Sequence, residues 1–228
     1  MELVSLRPAW YKDDMANDDP VMDSVAGPGP PRVQQIHDFE ASYEGSTPPW
    51  DIGRPQAALA RLMEAGEIRG RVLDVGCGTG EHALMAVAGG LEALGIDAAP
   101  SAIRLARAKA ARRSLQARFE VWDALDLPRL GERFDTVLDC GLFHVFDDDA
   151  RTRFVAALGA VVVPGGHYFM LCFSDRQPGD WGPRRVRQDE VRRAFADGWR
   201  VDSIDPSILE ITLSPEGAQG WLVALTRI

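Results

Sequence analysis

Residues 71–80 read Arg-Val-Leu-Asp-Val-Gly-Cys-Gly-Thr-Gly and carry the clearest chemical signal in the chain. Val72, Leu73 and Val75 have the apolar character of a buried parallel strand. Gly76, Gly78 and Gly80 follow at once, and Glu81-His82-Ala83-Leu84-Met85 reads as the opening of a helix. A strand, a glycine turn and a helix leave free backbone N–H groups facing whatever lies across the turn. Glycine also allows positive φ and close approach of the main chain to a ligand. This arrangement suits a small molecule bearing a ribose or a carboxylate, bound at the carboxyl end of a strand. A second acid, Asp97, stands about 20 residues beyond the turn, where a carboxylate can accept both ribose hydroxyls. His144, after a later apolar run, is a candidate proton acceptor for an acidic group on a substrate.

These residues need a scaffold of alternating strands and helices, and the patterning supplies one. Ile36, Phe39, Glu40 and Tyr43 predict a short helix, with Phe39 and Tyr43 on one face. Thr47-Pro48-Pro49-Trp50-Asp51-Ile52-Gly53-Arg54-Pro55 predicts a stiff aromatic loop, either a cap on the core or a lid whose rings attract a cation. A helix is expected over Pro55–Glu67, then the central strand, a helix to about Ala88, and a strand over Leu91–Asp97. Pro100-Ser101 opens a helix to about Leu115, whose arginines read as a solvated face. Strands are expected at Phe119–Trp122 and Phe134–Asp139, and Asp147-Asp148-Asp149 caps a helix running to about Val162. Pro164-Gly165-Gly166 is a turn before a strand over Tyr168–Phe173. The Ser174–Arg185 loop holds Trp181 and the pair Arg184 and Arg185, and is expected to wall the substrate site. A helix over Arg187–Ala196 and strands at Val201–Ile204 and Trp221–Leu225 complete the chain.

Composition bounds the function. At 228 residues, one domain with a sizeable core is expected, preceded by a disordered tail over residues 1–31 that ends in Gly27-Pro28-Gly29-Pro30-Pro31. A net charge of −9 argues against nucleic acid or an anionic membrane as partner. Cys77, Cys140 and Cys172 are well separated and odd in number, so no disulfide framework is expected. The N-terminus lacks a signal pattern and no run reaches membrane-span length, which makes a reducing cytoplasm the default expectation. His37, His82, His144 and His167 show no paired ligand spacing, so no metal is expected.

The spacing Asp74-x-Gly76-x-Gly78-x-Gly80 departs from the dinucleotide fingerprint, whose last glycine would fall on Glu81. It resembles the first motif of class I S-adenosylmethionine-dependent methyltransferases. Pro49-Trp50-Asp51-Ile52-Gly53-Arg54-Pro55 is similar to the N-terminal signature of the thiopurine/thiol/halide methyltransferase branch and its bacterial small-molecule relatives. The resemblance spans about residues 33–228. It implies an α/β fold, a Rossmann-like seven-stranded, mostly parallel sheet with helices on both faces and an antiparallel last strand. It implies S-adenosylmethionine as cofactor, with Asp74 contributing to the field around its ammonium. Gly76 and Gly78 would line it and Asp97 would take its ribose. Asp123 and Ala124 would meet its adenine, and Asp139 and Gly141 would lie at its methionine end. Phe39, Tyr43 and Trp50 match aromatics that line the pocket in that branch. The branch usually has tryptophan at the first two of these positions. Residues 32–55 would then form an aromatic lid.

The function implied is methyl transfer by in-line displacement to S, N or O of a small aromatic or heterocyclic acceptor. No nucleic-acid or membrane partner is implied, and the oligomeric state is left open. Two other readings stay open on residues alone. One is a non-catalytic S-adenosylmethionine-binding regulator. The other is an NAD-dependent oxidoreductase, which Asp97 allows but Glu81 and the Asp123-Ala124 pair disfavour.

Overall fold

In the computed structural model, residues 32–45 and 47–228 are described, with side chains from Asp38 onward. The expected tail over 1–31 and the side chains of Ile36 and His37 lie outside the described residues. Helix α1 covers Arg32–Gly45, followed by the Pro48–Pro55 loop and helix α2, Ala57–Glu64. Then come β1 (Arg71–Val75), α3 (Glu81–Ala88), β2 (Glu92–Asp97), α4 (Pro100–Arg113) and β3 (Arg118–Val121). A 3-10 segment over Ala124–Leu130 leads to β4 (Phe134–Cys140), and a short one over Phe143–Val145 leads to α5 (Asp148–Val161). The rest is β5 (Val162–Phe173), α6 (Gln188–Ala194), β6 (Trp199–Ile211) and β7 (Ser214–Arg227).

The seven strands form one sheet in the order β3-β2-β1-β4-β5-β7-β6. The pairs from β3 to β5 are parallel, and β7 runs antiparallel to both β5 and β6. Alternation within the strands feeds two cores. Leu73, Val75, Val137, Tyr168 and Val223 pack with Phe154 and Leu158 of α5 and Val191 of α6. Val72, Leu138 and Phe169 point the other way, toward Leu59 of α2, Leu84 of α3 and Ile103 and Ala106 of α4. Burial on both faces is why the central strands read as mostly apolar runs rather than as alternating apolar and polar residues.

Chain order reverses between β1 and β4, which are neighbours in register from Val72↔Thr136 to Val75↔Asp139. In open α/β sheets the ligand crevice lies at such a switch, outside the carboxyl strand ends. The glycine turn leaves β1 there, and Gly141 and His144 leave β4 there.

The structure corrects several boundaries. The sixth and seventh strands are far longer than the stretches expected at Val201–Ile204 and Trp221–Leu225, and they form one antiparallel ribbon paired from Trp199↔Arg227 to Ile211↔Ser214. Pro206 and Asp205 concealed the sixth strand, since proline argues against a central strand; β6 is an edge strand, where it is tolerated. Pro164-Gly165-Gly166 is not a turn before β5 but an irregularity inside it, marked by a register shift opposite Phe134/Thr136. Asp147 caps α5 as expected, accepting from the Ala150 N–H at 2.8 Å.

Candidate functional site

The turn after β1 is shaped by its glycines. Gly76, Gly78 and Gly80 all have positive φ, at 66°, 53° and 85°. At Gly78 a side chain would collide with the Tyr43 hydroxyl, 2.8 Å from where its Cβ would sit. At Gly80 it would enter the Phe119 ring at 2.5 Å, so this last glycine is required by α4 and β3 packing as well as by φ.

Carboxylates surround the turn. Asp97, at the end of β2, accepts from the Gly78 N–H and the Ala99 N–H, both at 2.9 Å. It therefore holds the glycine turn as well as facing the crevice. Asp74 is buried in β1 and accepts from the Ala83 N–H at 3.0 Å, anchoring the start of α3. Burial pushes its carboxyl up to about 7, against the lowering effect of the Ala83 hydrogen bond; the charges of Asp97 and Asp139 push it further up. Three acids crowding one switch point favour a cationic ligand, which would relieve their mutual repulsion.

Asp139 is fully buried at the end of β4. Its carboxylate accepts from the Leu142 N–H at 2.8 Å, the Phe143 N–H at 3.1 Å and the Tyr168 hydroxyl at 2.7 Å. The side chain is thus committed to shaping the β4 exit, leaving the main chain as its route to a ligand. Asp123 accepts from the Leu125 N–H at 3.0 Å and caps the 3-10 segment that Ala124 opens, with Ala124 buried. Both lie at the β3 exit, on the same edge of the sheet as Asp97.

The aromatic segment folds over this edge. Trp50 Nε1 donates to the Tyr43 hydroxyl at 2.8 Å, and Phe39 and Tyr43 meet the Trp50 ring edge-on at 5.8 and 6.2 Å. Asp51 accepts from Thr79 Oγ1 at 2.7 Å, joining the loop to the glycine turn. Glu40 of α1 accepts from the Ser101 N–H and hydroxyl at 3.0 and 2.6 Å, capping α4. The far end of the loop is pinned to β6. Glu210 binds the Arg54 guanidinium at 2.8 and 3.1 Å and accepts from the Ala57 N–H at 2.9 Å, an anion at the start of α2. Gln56 exchanges two hydrogen bonds with the Glu210 backbone, at 2.9 and 2.8 Å. The Thr212 N–H donates to the Pro49 carbonyl at 2.9 Å. Asp51, Thr79, Gln56 and Glu210 were not expected as site residues. Asp51 lay inside the quoted signature; Glu210 had no local signal.

At the β4 exit, His144 departs from the proton-acceptor expectation. Its Nδ1 accepts the Phe173 N–H at 3.0 Å, so in the neutral ring the proton sits on Nε2. Burial, with Arg185 and Arg151 adding to it, pushes its pKa down to about 3. At neutral pH the ring is an Nε2 donor rather than a base. Phe173 stands edge-on to it at 5.3 Å and to Trp181 at 5.6 Å, forming an aromatic wall on the Ser174–Arg185 loop side.

Two open surface clefts, about 540 and 270 Å³, are bounded by Asp175, Arg176 and Trp221 and by Arg69, Gly70 and Gly165. Neither touches the glycine turn. Among the described residues no group of three or more His, Cys, Asp or Glu could hold a metal ion, and no helix is long and apolar enough to cross a membrane.

Known proteins with the same organisation are similar to this chain. The family model for a methyltransferase domain matches residues 72–166. A 2-heptyl-1-hydroxyquinolin-4(1H)-one methyltransferase of Mycobacteroides abscessus is 37% identical over 181 residues, covering 75% of this chain and 80% of the relative. A probable thiol methyltransferase 2 of Arabidopsis thaliana is 26% identical over 165 residues, covering 69% of this chain and 70% of the relative. Among solved structures, one from work on conversion of a disulfide bond into a thioacetal group during echinomycin biosynthesis superposes with a TM-score of 0.76. It is 39% identical, covering 84% of this chain and 92% of that one.

Proposed function

We propose a methyl acceptor for this chain on one premise: it belongs to the class I S-adenosylmethionine-dependent methyltransferases and catalyses methyl transfer from that cofactor. The acceptor is a small, flat aromatic or heterocyclic molecule, methylated on S, N or O. One observation carries this reading. The β4 exit opens beside an aromatic wall of Phe173 and Trp181, with the hydrogen-bonding ring of His144 at its base. The hydroxyquinolone named for the Mycobacteroides relative has the same flat, ring-borne polarity. The thiopurine/thiol/halide-like branch is supported by the Pro49–Pro55 signature and by the likeness to the thiol methyltransferase. A net charge of −9 supports a small molecule over nucleic acid.

The residues present fit the cofactor. Asp97 would accept hydrogen bonds from the ribose hydroxyls alongside those from its two backbone donors. The acidic cluster of Asp74, Asp97 and Asp139 favours the cationic amino-acid end. Asp123 and Ala124 would take the base, and Tyr43 and Trp50, which already meet over the glycine turn, would close over it. When bound, the cofactor supplies an activated methyl group, so the protein contributes alignment and exclusion of water. Residues 32–55 act as the lid that excludes it. The test is calorimetry with S-adenosylmethionine, S-adenosylhomocysteine and NAD, followed by methyl transfer to a panel of hydroxyquinolones, phenols and thiols. Binding of S-adenosylhomocysteine without NAD, and transfer to a ring-bearing acceptor, are expected. Transfer only to a nucleic acid or protein would overturn the acceptor class.

A further inference from the structure

The ring of His144 is held in one tautomer by the backbone of another strand. The Phe173 amide can only donate, so Nδ1 is an acceptor and Nε2 carries the hydrogen. The side chain is 5% exposed, and Nε2 has no hydrogen-bond partner among the described residues. The only fully enclosed side-chain nitrogen or oxygen without a partner among them is Arg151 Nε, so His144 Nε2 reaches accessible space. Nε2 and Cε1 lie 3.4 and 3.5 Å from where a Cβ at Gly141 would sit. The donor therefore stands beside the β4 exit, at the switch point of the sheet.

The neighbours reinforce a preference for negative charge on whatever meets that donor. Arg185, from the loop after β5, lies over the Phe173 ring at 5.2 Å and the Trp181 ring at 5.8 Å. Its guanidinium donates to the carbonyls of Gln177, Gly179, Trp181 and Pro183 at 2.7–3.3 Å, which fixes the wall and leaves its charge in place. Arg151 of α5 stands over the Phe143 ring at 4.6 Å, paired with Glu190 of α6 at 3.0 Å. These are the charged groups that act on the ring, and both arginines hold it neutral.

Resting on the methyl-transfer reading, we propose that the acceptor binds as an oxyanion of a hydroxylated heteroaromatic ring, and that His144 Nε2–H is the donor that selects and positions it. His144 then takes no proton. The acceptor loses its proton to solvent before binding. An oxygen lone pair forms the O–CH3 bond as the S–CH3 bond breaks, and that bonding pair stays on sulfur as the neutral thioether. No proton is released within the closed site.

The test compares the native protein with H144Q and H144A on hydroxyquinolones and phenols of graded acidity. A pH limb in kcat/KM that follows each acceptor's own pKa is expected. H144A should raise KM about tenfold or more, the loss of one hydrogen bond to a charged group. H144Q, which restores a donor near Nε2, should recover most of that loss, and S-adenosylhomocysteine affinity should be unchanged in both. A limb fixed at one pH for all acceptors, or H144Q as impaired as H144A, would show a base and overturn the proposal. Nitrogen-15 NMR of labelled histidine in the S-adenosylhomocysteine complex needs no turnover. It should show Nε2 protonated and shifted by added 1-hydroxyquinolin-4(1H)-one. An Nδ1-protonated ring, or one indifferent to the quinolone, refutes the proposal. Absence of methyl transfer to every acceptor, with Nε2 protonated and responsive, would instead refute the acceptor chemistry assigned under the proposed function.

Discussion

The Trp50 indole N–H donates to the Tyr43 hydroxyl at 2.8 Å, and that hydroxyl lies over Gly78, where no side chain fits. The aromatic segment thus reaches the glycine turn directly. Trp50 is half-buried and packs with Tyr43, Ala99 and Ala102, so it contributes to stability.

Trp50→Ala is expected to cost about 1–3 kcal/mol of stability, the range for truncating a partly buried aromatic. At about 2–4 °C per kcal/mol, this lowers Tm by several degrees. Methyl transfer should fall much further, by at least about a hundredfold, because an open site admits water and loses alignment. S-adenosylhomocysteine should also protect the 40–55 segment from protease. Equal cleavage with and without ligand would make the segment a core cap.

Asp97 holds the Gly78 and Ala99 amides, and the proposed function assigns it the ribose as well. Asp97→Ala should weaken S-adenosylhomocysteine by at least about tenfold, since each charge-assisted hydrogen bond contributes about 1.5–3 kcal/mol. It should also lower Tm measurably, because two backbone donors lose their partner. A folded variant with an unchanged Kd by calorimetry would refute the ribose assignment.

Asp74 predicts a pH dependence. Its carboxyl is raised to about 7, so the folded state favours the protonated form. Its contribution to stability is therefore complete below its ordinary value of 3.8 and is lost as pH rises through about 7. A cationic ligand reverses the preference, because it binds the carboxylate. S-adenosylhomocysteine affinity should rise severalfold between about pH 6 and pH 8. Burial raises Asp139 to about 7 as well, so the variant Asp74→Asn separates the two. The amide oxygen of that variant would still accept from the Ala83 N–H, and its affinity should change less with pH than the native protein's. Titration calorimetry across that range is the measurement.

Glu210 ties the loop end to β6 through Arg54, Ala57 and its own backbone. Glu210→Ala should speed limited proteolysis within residues 47–57 several-fold, because the carboxylate that caps α2 and holds Arg54 is gone. The Arg54 partnership holds the Glu210 carboxyl below its ordinary value. Its contribution is present above about 4.5 and is lost as pH falls below it, so native and variant protein should converge in cleavage rate in acid. Unchanged cleavage at neutral pH would show that the backbone contacts alone hold the loop.

Local residue pattern determined the central strand, the glycine turn, Asp97 at the end of β2 and the Asp147 cap, because these depend on apolar runs, positive φ and nearest-neighbour hydrogen bonds. The mostly parallel sheet was what the family resemblance implied, and the alternating strand and helix signals agreed with it. Tertiary structure decided the rest. Gln56 and Glu210 meet across 154 residues, and Phe173 sets the His144 tautomer across 29. A histidine's protonated nitrogen is chosen by its partner, and periodicity carries no record of a partner from another strand. Asp139 reads the same in sequence whether it faces a ligand or folds inward; Tyr168 and the amides of Leu142 and Phe143 draw it inward. The full length of β6 and β7 was likewise hidden. Each strand is held by its neighbour's ladder, and that pairing overrides the weak strand propensity of Pro206 and Gly217.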